Sequence, residues 1–167
     1  MNKKLIIPIV IIIILLAFGT SWYFYKNIYY HNSAIKNSNP STCLKINNDL
    51  KISQCLGKVS SRTGDANICV NSPRMYIMAC FSTFAEMNGE IIKCSEVNPD
   101  VDEYNCYTAF AQTKRDTSTC DALTGEKKDY CYKSVAISTN DISICNNLPA
   151  SSVYKETCAN DVKYFNP

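Results

Sequence analysis

The sequence predicts an all-α protein, in which an N-terminal transmembrane helix is followed by a disulfide-stapled solenoid of five αα-hairpin repeats. One long uncharged segment near the N-terminus and ten cysteines at nearly regular intervals after it predict this fold class. Repeats of about 25 residues bury little core alone, so neighbouring units must stack. The first cysteines of the units are Cys43, Cys69, Cys94, Cys120 and Cys145, and the second cysteines are Cys55, Cys80, Cys106, Cys131 and Cys158.

Residues 1–25 form the predicted transmembrane segment. Between Lys4 and Lys26 lie 21 uncharged residues, and about 20 are needed to span a bilayer core. Lys3 and Lys4 favour a cytoplasmic N-terminus. We expect an uncleaved signal anchor, while Ala17-Phe18-Gly19 also fits the end of a cleaved signal peptide. The aromatic residues expected at the outer membrane interface are Trp22, Tyr23, Tyr25, Tyr29 and Tyr30.

The rest of the chain divides into two parts. Residues 26–38 are interpreted as a polar juxtamembrane linker, and residues 39–167 as the five-unit helical domain. Ten cysteines at ordered spacing belong in an oxidising compartment. We therefore expect a single-pass protein of the cell membrane, with a cytoplasmic N-terminus and an extracytoplasmic C-terminal domain.

Each unit is predicted to begin with a short helix that carries its first cysteine. Four residues before that cysteine stands a residue suited to capping a helix, except for Glu90, which is the poorer fit. Such a cap is worth roughly 1 kcal/mol. Turn residues, such as Asn71-Ser72-Pro73, then separate the short helix from a longer one. The five cap positions are Asn39, Asp65, Glu90, Asp116 and Asp141.

The longer helix carries the second cysteine and, four residues later on the same face, an apolar residue. A small residue follows in four units and lets the neighbouring helix approach. In the fifth unit Lys163 takes that place, which predicts a polar end to the stack. The apolar residues are Val59, Phe84, Phe110, Val135 and Val162, and the small ones are Ser60, Ala85, Ala111 and Ala136.

The repeat predicts one disulfide inside each hairpin, although ten cysteines alone allow hundreds of pairings. Pairing within units uses all ten cysteines. Pairing the second cysteine of each unit with the first cysteine of the next unit would leave Cys43 and Cys158 unpaired. Closing a loop of about 12 residues restricts the unfolded chain by roughly 3 kcal/mol. The expected pairs are Cys43–Cys55, Cys69–Cys80, Cys94–Cys106, Cys120–Cys131 and Cys145–Cys158.

The pattern Asp-x-x-x-Cys-x-x-Φ followed by Cys-Tyr-x-x-Φ-Ala is clearest between Asp116 and Ala136. It resembles cysteine-repeat helical modules in uncharacterised secreted or membrane-anchored proteins of archaea and candidate-phylum bacteria, over residues 39–167. More remotely, it is similar to secreted cysteine-rich Sel1-like proteins, which are αα-hairpin solenoids with longer units and closer cysteines. The resemblance implies a disulfide role for the ten cysteines and binding of a protein or cell-wall ligand.

Charge and composition exclude several functions. The chain has 17 Lys and Arg and 15 Asp and Glu, so without Lys3 and Lys4 the balance is 15 to 15. This neutrality does not fit nucleic-acid binding. The only histidine, His31, lies outside the repeats and is interpreted as an interfacial polar residue. The repeats therefore lack the base or ligand for Ser-His, Cys-His or His-zinc chemistry, and we expect no enzyme activity, cofactor or metal.

The predicted function is a membrane-tethered extracytoplasmic scaffold that binds a protein or another envelope ligand. A small extracytoplasmic enzyme or inhibitor, and a thiol redox or metal-handling protein, are the alternatives. Because caps, cysteines and core residues recur, partner contacts are expected in the loops that vary. A tyrosine closes each of four such loops, and these are the contact candidates: Tyr76, Tyr104, Tyr130 and Tyr154.

Overall fold

The computed structural model describes residues 22, 24–87, 90–97 and 102–165. Within these residues all regular structure is helical and no β-strand occurs, which confirms the all-α prediction. Most of the predicted transmembrane segment, residues 1–25, lies outside the described residues. In the part of the chain that is described, none of the helices has the length and apolar character needed to cross a bilayer.

A short helix followed by a longer α-helix recurs five times after the first helix. Residues 24–36 form α1. The following α-helices are α2 (Pro40–Cys43), α3 (Asp49–Thr63), α4 (Ile77–Glu86), α5 (Asp102–Lys114), α6 (Gly125–Thr139) and α7 (Lys155–Phe165). The 3₁₀ helices are Ala66–Asn71, Arg74–Tyr76, Ile91–Glu96, Thr117–Ala122 and Ile142–Asn147. Each short helix that contains a first cysteine forms a hairpin with the long helix that follows it. We number these hairpins 1 to 5, and their long helices are α3 to α7.

The short helices begin at the predicted capping residues. A side-chain oxygen of Asn39, Asp65, Asp116 or Asp141 accepts a hydrogen bond from the backbone N–H two residues later, at 2.9–3.1 Å. Glu90 makes no such bond. In every hairpin the N–H three residues after the first cysteine donates to that cysteine's carbonyl oxygen, a bond of the tight 3₁₀ type. The donors are Ile46, Ser72, Val97, Leu123 and Leu148.

Three long helices end in a residue with left-handed backbone, directly before the next cap. Gly64 (φ 73°), Arg115 (φ 54°) and Asn140 (φ 55°) follow α3, α5 and α6. After α6, the N–H of Asp141 donates back to the carbonyl oxygen of Ala136 at 3.0 Å, which is a common way to close a helix end. The predicted small residues therefore lie at the joint between one hairpin and the next.

The centre of the core is aromatic. Successive long helices pack on one another in chain order from α3 to α7. Phe81 and Phe84 are fully buried, and the rings of Phe84 and Phe110 meet edge to face with centroids 5.7 Å apart. Gly57 lets α3 approach α4 closely, because a Cβ there would lie 2.5 Å from the carbonyl oxygen of Cys80.

The C-terminal end of the core has smaller side chains. Lys133 of α6 reaches across to α7, where its Nζ pairs with the Asp161 carboxylate and donates to Thr157 Oγ1 at 2.9 Å. Lys163 is exposed, in line with its polar character. The buried residues of this end are Ala136, Cys145, Leu148, Cys158 and Val162.

The segment interpreted as a linker, residues 26–38, is instead mostly helical and packs on hairpin 1. Asn27 is only 5% exposed, and its Oδ1 accepts a hydrogen bond from the backbone N–H of Asn47 at 3.1 Å. Ala34 is fully buried, and its carbonyl oxygen accepts from the Asn39 N–H at 2.9 Å. The buried residues of this segment are polar or small, so its composition resembled that of a linker.

Candidate functional site

Five disulfides join the first and second cysteines of the five hairpins. These are the pairs that the spacing predicts, 11–13 residues apart in sequence with Cα atoms 5.5–5.9 Å apart. All ten cysteines lie in the described residues, all are buried, and none is free. Each disulfide ties a short helix to the long helix behind it, so the sulfur atoms belong to the core of the hairpins.

Three of the four predicted contact tyrosines lie side by side. The ring centroids of Tyr104 and Tyr130 are 5.5 Å apart, and those of Tyr130 and Tyr154 are 5.7 Å apart, both edge to face. The three residues come from hairpins 3, 4 and 5, so these contacts cross two boundaries between hairpins. We call Tyr104, Tyr130 and Tyr154 the tyrosine row.

Each member of the tyrosine row lies in the first two turns of a long helix or directly before it. Tyr104 is in the first turn of α5, Tyr130 directly precedes Cys131 in α6, and Tyr154 directly precedes α7. Each disulfide fixes its long helix against a short helix, and the long helices pack side by side, so residues near their starts come together. Tyr130 is 38% exposed, and the other two rings are partly buried.

The tyrosine row combines three phenol side chains with a lysine at one end. Burial, followed by the neighbouring Tyr130 phenol and its hydrogen bond, raises the pKa of Tyr104 above the ordinary range of a tyrosine. At the other end, the Lys133 ammonium lies 5.3 Å from the ring centroid of Tyr154, within cation–π range. The row is therefore amphipathic, with apolar ring surface, hydroxyl groups and a lysine that is ion-paired with Asp161.

Tyr76, the fourth predicted contact residue, lies apart from the tyrosine row. It ends the additional 3₁₀ turn Arg74–Tyr76 that precedes α4, and its side chain is partly buried. Among the described residues it makes no ring contact with the row. The structure therefore brings together three of the four predicted residues.

A polar cluster that the sequence analysis missed lies inside hairpin 4. The Lys128 Nζ is 2.8 Å from Oδ1 of Asp121, and the Tyr132 hydroxyl donates to the same oxygen at 2.9 Å. These two hydrogen bonds lower the pKa of Asp121. A sequence signal was present, because Asp121 and Tyr132 each follow a cysteine of one disulfide and are therefore brought together. The cluster joins the short helix to α6.

A cavity of about 220 Å³ lies between α1 and hairpin 1. The sequence analysis did not predict it, since the segment that forms one wall was interpreted as a linker. The His31 side chain, interpreted as an interfacial residue, is half-buried at this cavity. The described residues that line the cavity are Asn27, Ile28, His31, Ile46, Lys51 and Gln54.

No family model, curated protein or solved structure matches the chain. Within the described residues, no group of three or more His, Cys, Asp or Glu side chains is placed to hold a metal ion. The tyrosine row and the α1 cavity are therefore interpreted from their own geometry.

Proposed function

We propose that this protein is a membrane-tethered extracytoplasmic scaffold, in which five hairpins stack into a helical solenoid that binds a protein or a cell-envelope polymer. The membrane segment of the proposal depends on the uncharged N-terminal sequence, residues 1–25. The binding role depends on the tyrosine row. The resemblance to cysteine-repeat modules stays a prediction, and what it implies is compatible with both the membrane segment and the binding role.

The recurrence of the same bonds supports the solenoid. A disulfide and a hydrogen bond to the first cysteine's carbonyl oxygen occur in each hairpin, and each long helix packs on the next. Chains whose units contact mainly their sequence neighbours form extended surfaces suited to binding large partners. Stacked hairpins would offer such a surface along residues 39–167.

The sulfur chemistry supports an extracytoplasmic location. Disulfides persist in oxidising compartments and are rare in the reducing cytosol. All ten cysteines are paired and buried. A thiol redox protein needs an accessible, reactive thiol, so burial favours the scaffold over the redox alternative.

The tyrosine row is the observation that carries the binding role. Tyrosine supplies a large, rigid contact surface with a polar tip, and such residues dominate the energetics of many interfaces. The row joins three hairpins in one surface, so a partner there would contact several units at once. Its central residue, Tyr130, keeps 38% of its surface exposed although its ring contacts both neighbours.

The test is partner capture by a variant of the full-length protein with Tyr104, Tyr130 and Tyr154 changed to Ser. Surface proteins and polymers are crosslinked to it in its own cell envelope, isolated under denaturing conditions and quantified by mass spectrometry. We expect at least a roughly tenfold loss of captured partner, the effect of about 1.4 kcal/mol of binding energy. Circular dichroism and non-reducing peptide mapping check that helicity and disulfides are retained.

Tyr164→Ser is the matched control, because Tyr164 is 78% exposed on α7 and lies outside the tyrosine row. This variant should capture as much partner as the unmodified protein. Unchanged capture by the triple variant, or an equal loss in the control, would contradict the binding proposal.

The membrane tether is tested separately. Carbonate extraction should leave the protein in the membrane pellet, and protease added to intact cells should digest the C-terminal domain. A mature N-terminus at Thr20 would show that the segment is a cleaved signal peptide instead.

A further inference from the structure

The α1 cavity is formed by the facing sides of two helices. Asn27 and His31 are four residues apart on α1, and Lys51 and Gln54 are three apart on α3, so each pair shares one helical face. The hydrogen bond from the Asn47 N–H to Asn27 Oδ1 holds the Asn27 amide in place. Polar groups from both helices therefore line one cavity, and the Asn27 amide is held in place there.

A lysine is the one permanently charged residue among the described residues that line this cavity. Lys51 is part of its lining, and none of the described lining residues is a carboxylate. Burial lowers the pKa of His31 most, and Lys58 and Lys51 lower it further, against the opposing effect of a hydrogen bond to Asn32. A partly enclosed site of one charge sign attracts ligands of the opposite sign.

We propose that the α1 cavity binds the phosphate group of a small anionic ligand. Lys51 would supply the charge, and the amides of Asn27 and Gln54 would donate hydrogen bonds. Ile28 and Ile46 would contact the apolar part of the ligand. A volume of about 220 Å³ lies below the roughly 300–1,000 Å³ typical of pockets for drug-sized molecules, so the ligand is the size of a lipid headgroup.

Two sources present the same chemistry: a soluble phosphate ester and the headgroup of an anionic lipid. The cavity lies at the start of α1, next to the predicted membrane segment. Tyr25 and Tyr29, on the same helix, are 64% and 57% exposed, as expected of aromatic residues at a membrane interface. The lipid source depends on the proposed membrane segment, whereas the soluble source does not.

His31 would make binding depend on pH. The Nδ1 of His31 lies 3.4 Å from Oδ1 of Asn32, within reach of a hydrogen bond. The cations that act on His31 are Lys58 and Lys51 of α3, while Lys26 and Lys45 lie over the ring of Tyr30. A bound anion stabilises the protonated imidazole and raises its pKa. By linkage, the anion binds more tightly as the pH falls through that pKa.

The experiment uses the fact that His31 is the only histidine of the chain, so imidazole NMR signals report on the cavity alone. The full-length protein is titrated with acid in maltoside micelles, with and without glycerol 3-phosphate, and in phosphatidylglycerol nanodiscs. We expect the bound anion to raise the pKa of His31 by about one unit, which corresponds to tenfold tighter binding by the protonated protein. A shift with glycerol 3-phosphate indicates the soluble source, and a shift with nanodiscs alone indicates the lipid.

Lys51→Gln should abolish the shift, because it removes the charge that would bind the phosphate. Lys163→Gln makes the same change of charge on α7 and should keep the shift. A general surface potential of the lipid would shift His31 equally in both variants, and that result would overturn the proposal. An unchanged pKa of His31 with both probes would overturn it as well. Partner capture by the tyrosine row is measured independently, so the two proposals can fail separately.

Discussion

The α4–α5 and α6–α7 interfaces follow the same backbone plan with different chemistry. Between α4 and α5, the buried rings of Phe84 and Phe110 meet edge to face. Between α6 and α7, the position of α7 that corresponds to Phe110 is Val162, and further contacts at the edge of the core add to the packing. These are the contact of Tyr130 with Tyr154 and the bonds of Lys133 to α7.

The difference shows two ways in which neighbouring long helices are held together. Among the described residues, α5 packs on the long helices α4 and α6, whereas α7 packs on α6. The core at α7 is made of smaller side chains, and Val162 is fully buried in it. The remaining stabilisation comes from polar and aromatic contacts at the rim of the interface, where the tyrosine row also lies.

The largest expected effect is that of Phe84→Ala. It removes a fully buried ring and its contact with Phe110, and such changes cost about 3–5 kcal/mol. Val162→Ala, the matched change in the last helix, removes two methyl groups and should cost about 2 kcal/mol. Urea unfolding followed by circular dichroism measures both. Equal losses would show that the two interfaces do not differ in core stabilisation.

An intermediate effect is expected for Lys133→Met. The side chain of Lys133 is 15% exposed, and its removal leaves the Asp161 carboxylate without its cation. We expect a loss of about 1 kcal/mol, at the upper end for ion pairs near a surface. Hydrogen exchange should quicken in α7 and stay unchanged in α4.

The control for this prediction is Lys93→Met, which breaks the exposed Lys93–Glu96 pair within a single 3₁₀ helix. That pair crosses no interface, so the control should not alter exchange in α7. Unchanged exchange in α7 of the Lys133 variant would mean that the core alone holds the last helix.

The smallest expected effect concerns Tyr104 at alkaline pH. Its pKa is raised in the folded protein, so the native state holds this proton more tightly than the unfolded chain does. Its contribution to stability is complete below about pH 10, the ordinary tyrosine pKa, and is lost as the pH rises through the folded value. The free energy of unfolding should therefore fall less from about pH 9 to pH 11 in Tyr104→Phe than in the unmodified protein. An equal fall in the free energy of unfolding of both proteins would contradict a raised pKa of Tyr104.

Features that depend on local sequence were predictable. A cap and a cysteine four residues later lie within one or two turns, so Asp65 and Asp116 begin their helices as expected, and Glu90 makes no side-chain cap. The disulfide pairs were predictable because each loop stays inside one hairpin. The spacing did not show that most of the short helices are 3₁₀ helices, because a cap four residues before a cysteine is compatible with both an α-helix and a 3₁₀ helix.

Features that depend on packing between elements were not predictable. Tyr76 and Tyr154 both stand four residues before a cysteine, yet only Tyr154 lies in the tyrosine row. The α1 cavity needs the facing sides of two helices, one of which has Asn27 and Ala34 as its buried residues. Neither residue gives the apolar periodicity by which a packed helix is recognised in a sequence.

The disulfide connectivity has a consequence for biogenesis. Each first cysteine pairs with the next cysteine in the chain, only 11–13 residues later. A domain exported with its N-terminal end leading would present both members of a pair before the following pair emerges. Oxidation in order of emergence would then give the native pairing without thiol–disulfide exchange. Such a chain requires an oxidant but little help from a disulfide isomerase.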